Sequence, residues 1–148
     1  MILRLEDELF ALPVAHLLEV SPAYAIHSVP YRSTALFLGL VNIRGEIILA
    51  ASLSALLGLT PRRQPANGPP TARRMAVASA RDGKWVFPID EIFGIYLFDR
   101  GDVKQAPVVS SQAASSYSRG VFHWQNRTVA LLDTDVIFPA LTAEVARL

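Results

Sequence analysis

The stretch Gly39 to Ala50, "GLVNIRGEIILA", decides how this chain is read. Apolar residues of strand type break at Asn42 to Glu46, and resume at Ile47. Two strands around a tight turn account for that pattern, with the glycine supplying the backbone freedom the turn needs. The turn does not account for Arg44.

The grammar of this hairpin recurs later in the chain. "GLVNIRGEIILAASLSALL" from Gly39 lines up with "GVFHWQNRTVALLDTDVIF" from Gly120, an offset of 81 residues. "FALPVAHLLEV" from Phe10 lines up with "WVFPIDEIFGI" from Trp85, an offset of 75. Gly45 then aligns with Asn126, the two residue types most willing to take positive φ. Arg44 aligns with Gln125, so the turn as such does not call for arginine. Two copies in a common order predict a two-lobed β protein.

Local signals fill in the elements. Met1 to Leu5 and Glu8 to Pro13 flank Glu6-Asp7 as a hairpin. Val14 to Val20 reads as a short helix or an irregular turn. Phe37 to Ile43 and Glu46 to Ala51 form the second hairpin. Ser52 to Leu57 reads as a short helix with Ser52 as its N-cap and Gly58 as its stop, and Asp133 holds the same cap position in the second copy. "TPRRQPANGPPTARR", about residues 60–74, is expected to be a mobile connection, and "SSQAASSYS" from Ser110 a second polar loop. Phe10, Trp85 and Trp124 are expected in the lobe cores, with Trp124 also able to line an exposed edge. One of Leu17 and Leu18 is expected in the core.

Composition narrows the function. The chain has 148 residues and no cysteine, which excludes disulfides, a cysteine nucleophile and thiolate metal sites. Its formal net charge of +1 announces neither a nucleic-acid binder nor a binder of acidic partners. Mean hydropathy is high, at +0.31. Yet the longest nearly uncharged run, Ile47 to Leu59, is too short to span a bilayer. Arg4, Glu6, Asp7 and Glu8 break any signal-peptide core, so a cytoplasmic protein without membrane insertion is expected. Its apolar excess must then enter a large core or meet partners.

Chemistry is hard to find. His16, His27 and His123 fall in three segments without metal-ligand spacing. There is no Gly-x-Ser-x-Gly elbow and no phosphate loop. Asp90-Glu91 and Asp133/Asp135 are close acidic pairs, but a short amphipathic turn and a helix cap explain them as well as acid–base catalysis does. The arginines near residues 60–74 come without aromatic stacking residues, so a solvated connection is preferred to nucleic-acid contact. No catalytic, cofactor or metal site is expected. Small β lobes with exposed edges commonly bind other proteins.

The same residues resemble the CheW family of chemosensory adaptors. The family pattern Gly-Val-x-Asn-x-Arg-Gly-x-x-x-Pro-x-x-Asp-Leu is similar to Gly39 to Leu53. "ALPVAHLLEV", Pro30 and the closing "RGVFHWQNRTVALLDTDVIF" also fit. The resemblance implies a mainly β fold over residues 1–148. It would comprise two small SH3-like five-stranded β-barrel lobes, interleaved in sequence, with a groove between them and a few short helices. It implies no catalysis. It implies an adaptor coupling transmembrane chemoreceptor signalling tips to the regulatory domain of a chemosensory histidine kinase, in arrays at the membrane. Leu17, Glu19, Gly39, Asn42 and Arg44 carry over as partner-binding residues, with Arg44 expected to pair with Glu19. Leu49 and Ser52 stand where the pattern has proline and aspartate, which leaves open an adaptor of a non-flagellar chemosensory pathway. The alternative is a self-associating β-domain scaffold or regulatory module not bound to a kinase.

Overall fold

The computed structural model describes residues 1–61, 73–105 and 111–148. The expected connection at 60–74 lies largely outside them. In chain order the strands are β1 (Ile2–Leu5), β2 (Glu8–Ala11), β3 (Leu17–Pro22), β4 (Phe37–Ile43), β5 (Glu46–Ala51), β6 (Arg74–Ala80), β7 (Gly83–Ile89), β8 (Glu91–Gly94), β9 (Ser118–Trp124) and β10 (Arg127–Leu132). The helices are α1 (Leu53–Leu56), α2 (Gln112–Ser116) and α3 (Thr134–Ala146). A 3-10 turn at Val14–His16 precedes β3.

The strands form two five-stranded sheets. The central lobe has the order β3-β6-β7-β5-β4, and the flanking lobe the order β8-β1-β2-β10-β9. In each lobe two antiparallel hairpins join through one parallel pairing, β5 with β7 and β10 with β2. The two edge strands β3 and β8 are exchanged. β3 follows β2 but pairs with β6 in the other lobe, while β8 follows β7 but pairs with β1. The two sheets fit the expected two-lobed β fold, although the ladders leave each sheet open. One isolated antiparallel bridge reaches the far edge of each: His27 to Leu40 of β4, and Lys104 to Val121 of β9.

The main core lies between the lobes, where Leu3, Leu5 and Phe10 meet Trp85, Phe87 and Ile89. Each lobe also has a smaller interior, around Val41, Ile48 and Val86 in one and Ile2, Phe122 and Val129 in the other. Strand alternation explains this division. Trp85 and Phe87 of β7 face the shared core while Val86 faces the lobe interior, so β7 is apolar on both sides. Trp124 is half-buried against the flanking interior.

Local chemistry sets the helices. Ser52 Oγ accepts the Ala55 amide at 3.1 Å, and an Asp133 carboxylate oxygen accepts the Asp135 amide at 3.1 Å, so both expected caps form. α3 then inserts Ile137, Phe138 and Leu141 into the main core. The polar run from Ser110 is not all loop. Gln112–Ser116 winds into α2, with Ser111 Oγ accepting the Ala114 amide at 2.8 Å and Ala114 fully buried. A capping serine before two alanines outweighed the polar composition.

Candidate functional site

The hairpin of β4 and β5 closes through Arg44 and Gly45, both with positive φ, at 50° and 86°. A two-residue loop of this kind matches the twist of its strands. The hairpin of β9 and β10 likewise closes through two residues with positive φ, Gln125 and Asn126, at 49° and 59°. The sequence located positive φ at Gly45 and Asn126. It missed that Arg44 and Gln125 adopt it too, a conformation that side chains of this size rarely take. Asn42 braces the first turn, its Oδ1 accepting the Gly45 amide at 2.8 Å.

From that tip, Arg44 donates to the Glu19 carboxylate on β3. β3 and β4 are opposite edges of the central sheet, so the ion pair links the sheet's two ends. The Arg44 side chain keeps 68% of its surface exposed and that of Glu19 26%. The hydrogen bond donated to Glu19, followed by the charge of that carboxylate, holds the guanidinium pKa above its ordinary value, and Tyr24 and Glu46 add smaller contributions. Glu46 pairs in turn with Lys84 at 2.9 Å. Charges of alternating sign therefore run across the tip, from Glu19 through Arg44 and Glu46 to Lys84.

The structure brings Glu19, Asn42 and Arg44 together and separates the other two expected residues from them. Leu17 is half-buried against the main core, and its neighbour Leu18 is 52% exposed. Gly39 is buried at φ 136°, where any β-carbon would overlap the His27 carbonyl of the crossing segment. Sequence reasoning missed the exposed apolar residues Leu18 and Val20 of β3 and Ile47 of β5. It also missed an open cleft of about 460 Å³ whose walls include Ile47, Leu49, Trp85 and Val145. Exposure of Leu18 follows from a bulge in β3, which leaves no mark in composition.

The acidic pairs are occupied. Asp90 accepts the Glu6 amide at 2.7 Å, Glu91 pairs with Arg4 at 3.2 Å, and Asp133 and Asp135 both hold Arg119. Among the described residues no cluster of three histidine, aspartate or glutamate side chains could hold a metal ion.

The model of the CheW-like domain matches residues 1–141. The chain belongs to this family. As a CheW-like protein it is a non-catalytic adaptor of chemotaxis signalling, and members of the family work with chemoreceptors and a kinase in chemosensory arrays. It is 25% identical over 147 residues to the chemotaxis protein CheW of Rhizobium meliloti, an alignment covering 97% of this chain and 88% of that protein. Its fold is similar to the crystal structure of the scaffolding protein TtCheW from Thermoanaerobacter tengcongensis. The TM-score is 0.76 and the identity 18%, over 90% of this chain and 82% of that one.

Proposed function

We propose that this CheW-like chain couples the cytoplasmic tips of transmembrane chemoreceptors to the regulatory domain of a histidine kinase, its two lobes working as one unit. The observation that carries this reading is the Arg44–Glu19 pair. It is an exposed, ordered charge pair on the central lobe, at a place where the equivalent residues of the flanking lobe are Gln125 and Gly94. The duplicated fold does without it there, so a partner is the better reason for it. A guanidinium held by one carboxylate still has donors to offer a second acceptor. The exposed Leu18 and Val20, on the strand that carries Glu19, and Ile47, just after the Arg44-Gly45 turn, supply apolar area for a helix laid beside the pair. Residues Leu49 and Ser52, where the family pattern has proline and aspartate, favour a non-flagellar chemosensory pathway. We place the protein in the cytoplasm, at receptor arrays. No helix among the described residues is long and apolar enough to cross a membrane.

The test is a titration of wild-type protein and Arg44→Ala against the kinase regulatory domain and the receptor signalling tip from the same source. Binding of wild type to either, weakened at least tenfold by the substitution at unchanged melting temperature, supports the reading. A folded wild type that binds neither overturns it. A second reading, self-association as a scaffold without a kinase, rests on the apolar run after β8, where Ile95 is 71% and Leu97 90% exposed. Sedimentation of the isolated protein as rings or filaments would favour that reading.

A further inference from the structure

Asn42 and Arg44 belong to one short motif, yet the structure gives them different work. The Asn42 Oδ1 is already engaged by the Gly45 amide at 2.8 Å, inside its own turn. In a two-residue loop with both φ values positive, the amide of the second loop residue points outward and finds no partner in the ladder. Asn42 satisfies it. The second copy shows that the fold can do without this brace. His123 stands at the place of Asn42, and the Gln125-Asn126 turn also takes positive φ at both residues, at 49° and 59° against 50° and 86°. What distinguishes the first turn is its cargo. It carries Arg44 across to Glu19 on the opposite edge of the sheet.

We propose that Asn42 is a positioning residue. It meets no partner itself, and by fixing the left-handed pair Arg44-Gly45 it aims the guanidinium at Glu19 and at whatever Arg44 binds. The binding half of this inference rests on the adaptor reading above, and the aiming half does not.

The experiment combines Asn42→Ala with Arg44→Ala in a double-mutant cycle on partner affinity, with Asn42→Asp as the conservative variant. Two partner-independent readouts accompany it: exchange of the Gly45 amide, and the NMR signals of the Arg44 guanidinium, whose hindered rotation reports the pair with Glu19. Asn42→Ala is expected to weaken binding about 5- to 10-fold, the worth of one hydrogen bond. It should do so only while Arg44 is present, with faster Gly45 exchange and freely rotating guanidinium signals. Asn42→Asp keeps an acceptor oxygen and should retain both the slow exchange and the binding. Equal weakening by Asn42→Ala with Arg44 in place and in the Arg44→Ala background would mean that Asn42 touches the partner, and would overturn the proposal. So would a guanidinium that stays paired in Asn42→Ala. If the folded wild type binds neither ligand, the adaptor reading fails, and the guanidinium signals still decide whether Asn42 aims Arg44.

Discussion

The central and flanking lobes are built alike down to their irregularities, and they differ in how their edges meet. Both edge strands carry one extra residue at the equivalent place, Leu18 in β3 and Phe93 in β8. A second pair of bulges falls at Leu38 in β4 and Arg119 in β9. The crossing bridges match in their hydrogen bonds: His27 and Lys104 each donate at 2.8 Å and accept at 2.9 Å. Ser52 and Asp133 cap the following helices while their amides donate at 2.8 Å to Leu36 and Tyr117. The edge-to-edge contacts share none of this. The central lobe uses the exposed Arg44–Glu19 ion pair, and the flanking lobe sets Phe93 against Trp124, the rings tilted at 56° with centroids 5.4 Å apart. Aromatic contacts of that kind add stability beyond their buried area, whereas exposed ion pairs add little. What both lobes keep is what the fold requires. Where the central lobe departs, it has an exposed charged contact in place of an aromatic one, and the proposed recognition surface rests on that difference.

The sharpest way to break this equivalence is at the crossing points. Gly39 and Gly120 occupy the same position in the repeat, each beneath the carbonyl of a crossing segment. A β-carbon at Gly120 would lie 2.6 Å from the Lys104 oxygen, and one at Gly39 would overlap the His27 oxygen in a backbone already at φ 136°. Gly39→Ala should cost about 3 kcal/mol or more, lowering the melting temperature by roughly 10 °C. Gly120→Ala should cost less, because its backbone needs no left-handed φ. If Gly120→Ala melted with the wild type, the two crossings would not be equivalent. A smaller effect tests the flanking edge. Trp124→Ala removes a half-buried ring from Phe93 and the flanking interior, and should cost about 2 kcal/mol in urea unfolding. An unfolding midpoint unchanged by that substitution would remove the aromatic contact as the flanking counterpart of the ion pair.

Much of the framework was legible because hairpins and caps are written locally. The Glu6-Asp7 and Arg44-Gly45 turns and the caps Ser52 and Asp133 were read from residues close in sequence or matched by the repeat, whereas the pairing of Arg44 with Glu19 followed only from the resemblance to the CheW family. The exchange of β3 and β8 was not legible. Local pattern names a strand but not its partner, and Leu17–Pro22 would look the same in either sheet. The segment Val14 to Val20 split into a 3-10 turn and a strand because its alternation starts only at Leu17. The length of α3 was also missed, although Ile137, Phe138 and Leu141 carry its buried side. Pro139 inside it reads as a breaker. At the site, Leu17 and Leu18 were correctly divided between core and surface, but which was which depended on a bulge.

The smallest effect on stability carries the most information about function. Arg44→Gln gives the central tip the residue of the flanking tip, in a turn whose φ of 50° Gln125 already tolerates at 49°. Arg44→Gly relieves the left-handed conformation altogether. Neither should lower the melting temperature, and Arg44→Gly should raise it slightly, because an exposed pair contributes little to be lost. Solution pH should not confuse the result. Glu19 raises the Arg44 pKa, and a raised pKa on a basic group stabilises the fold below its ordinary value. That contribution fades only as pH climbs through the folded-state value, so Arg44's ionisation leaves stability level from about pH 6 to about pH 9. Both variants are expected to be no less stable than the wild type and to fail in the partner titration. A clear fall in the melting temperature of Arg44→Gln would make Arg44 a structural clasp like Phe93 and Trp124. The two edges would then differ in chemistry but not in purpose, and the reason for placing the partner on the central lobe would be gone.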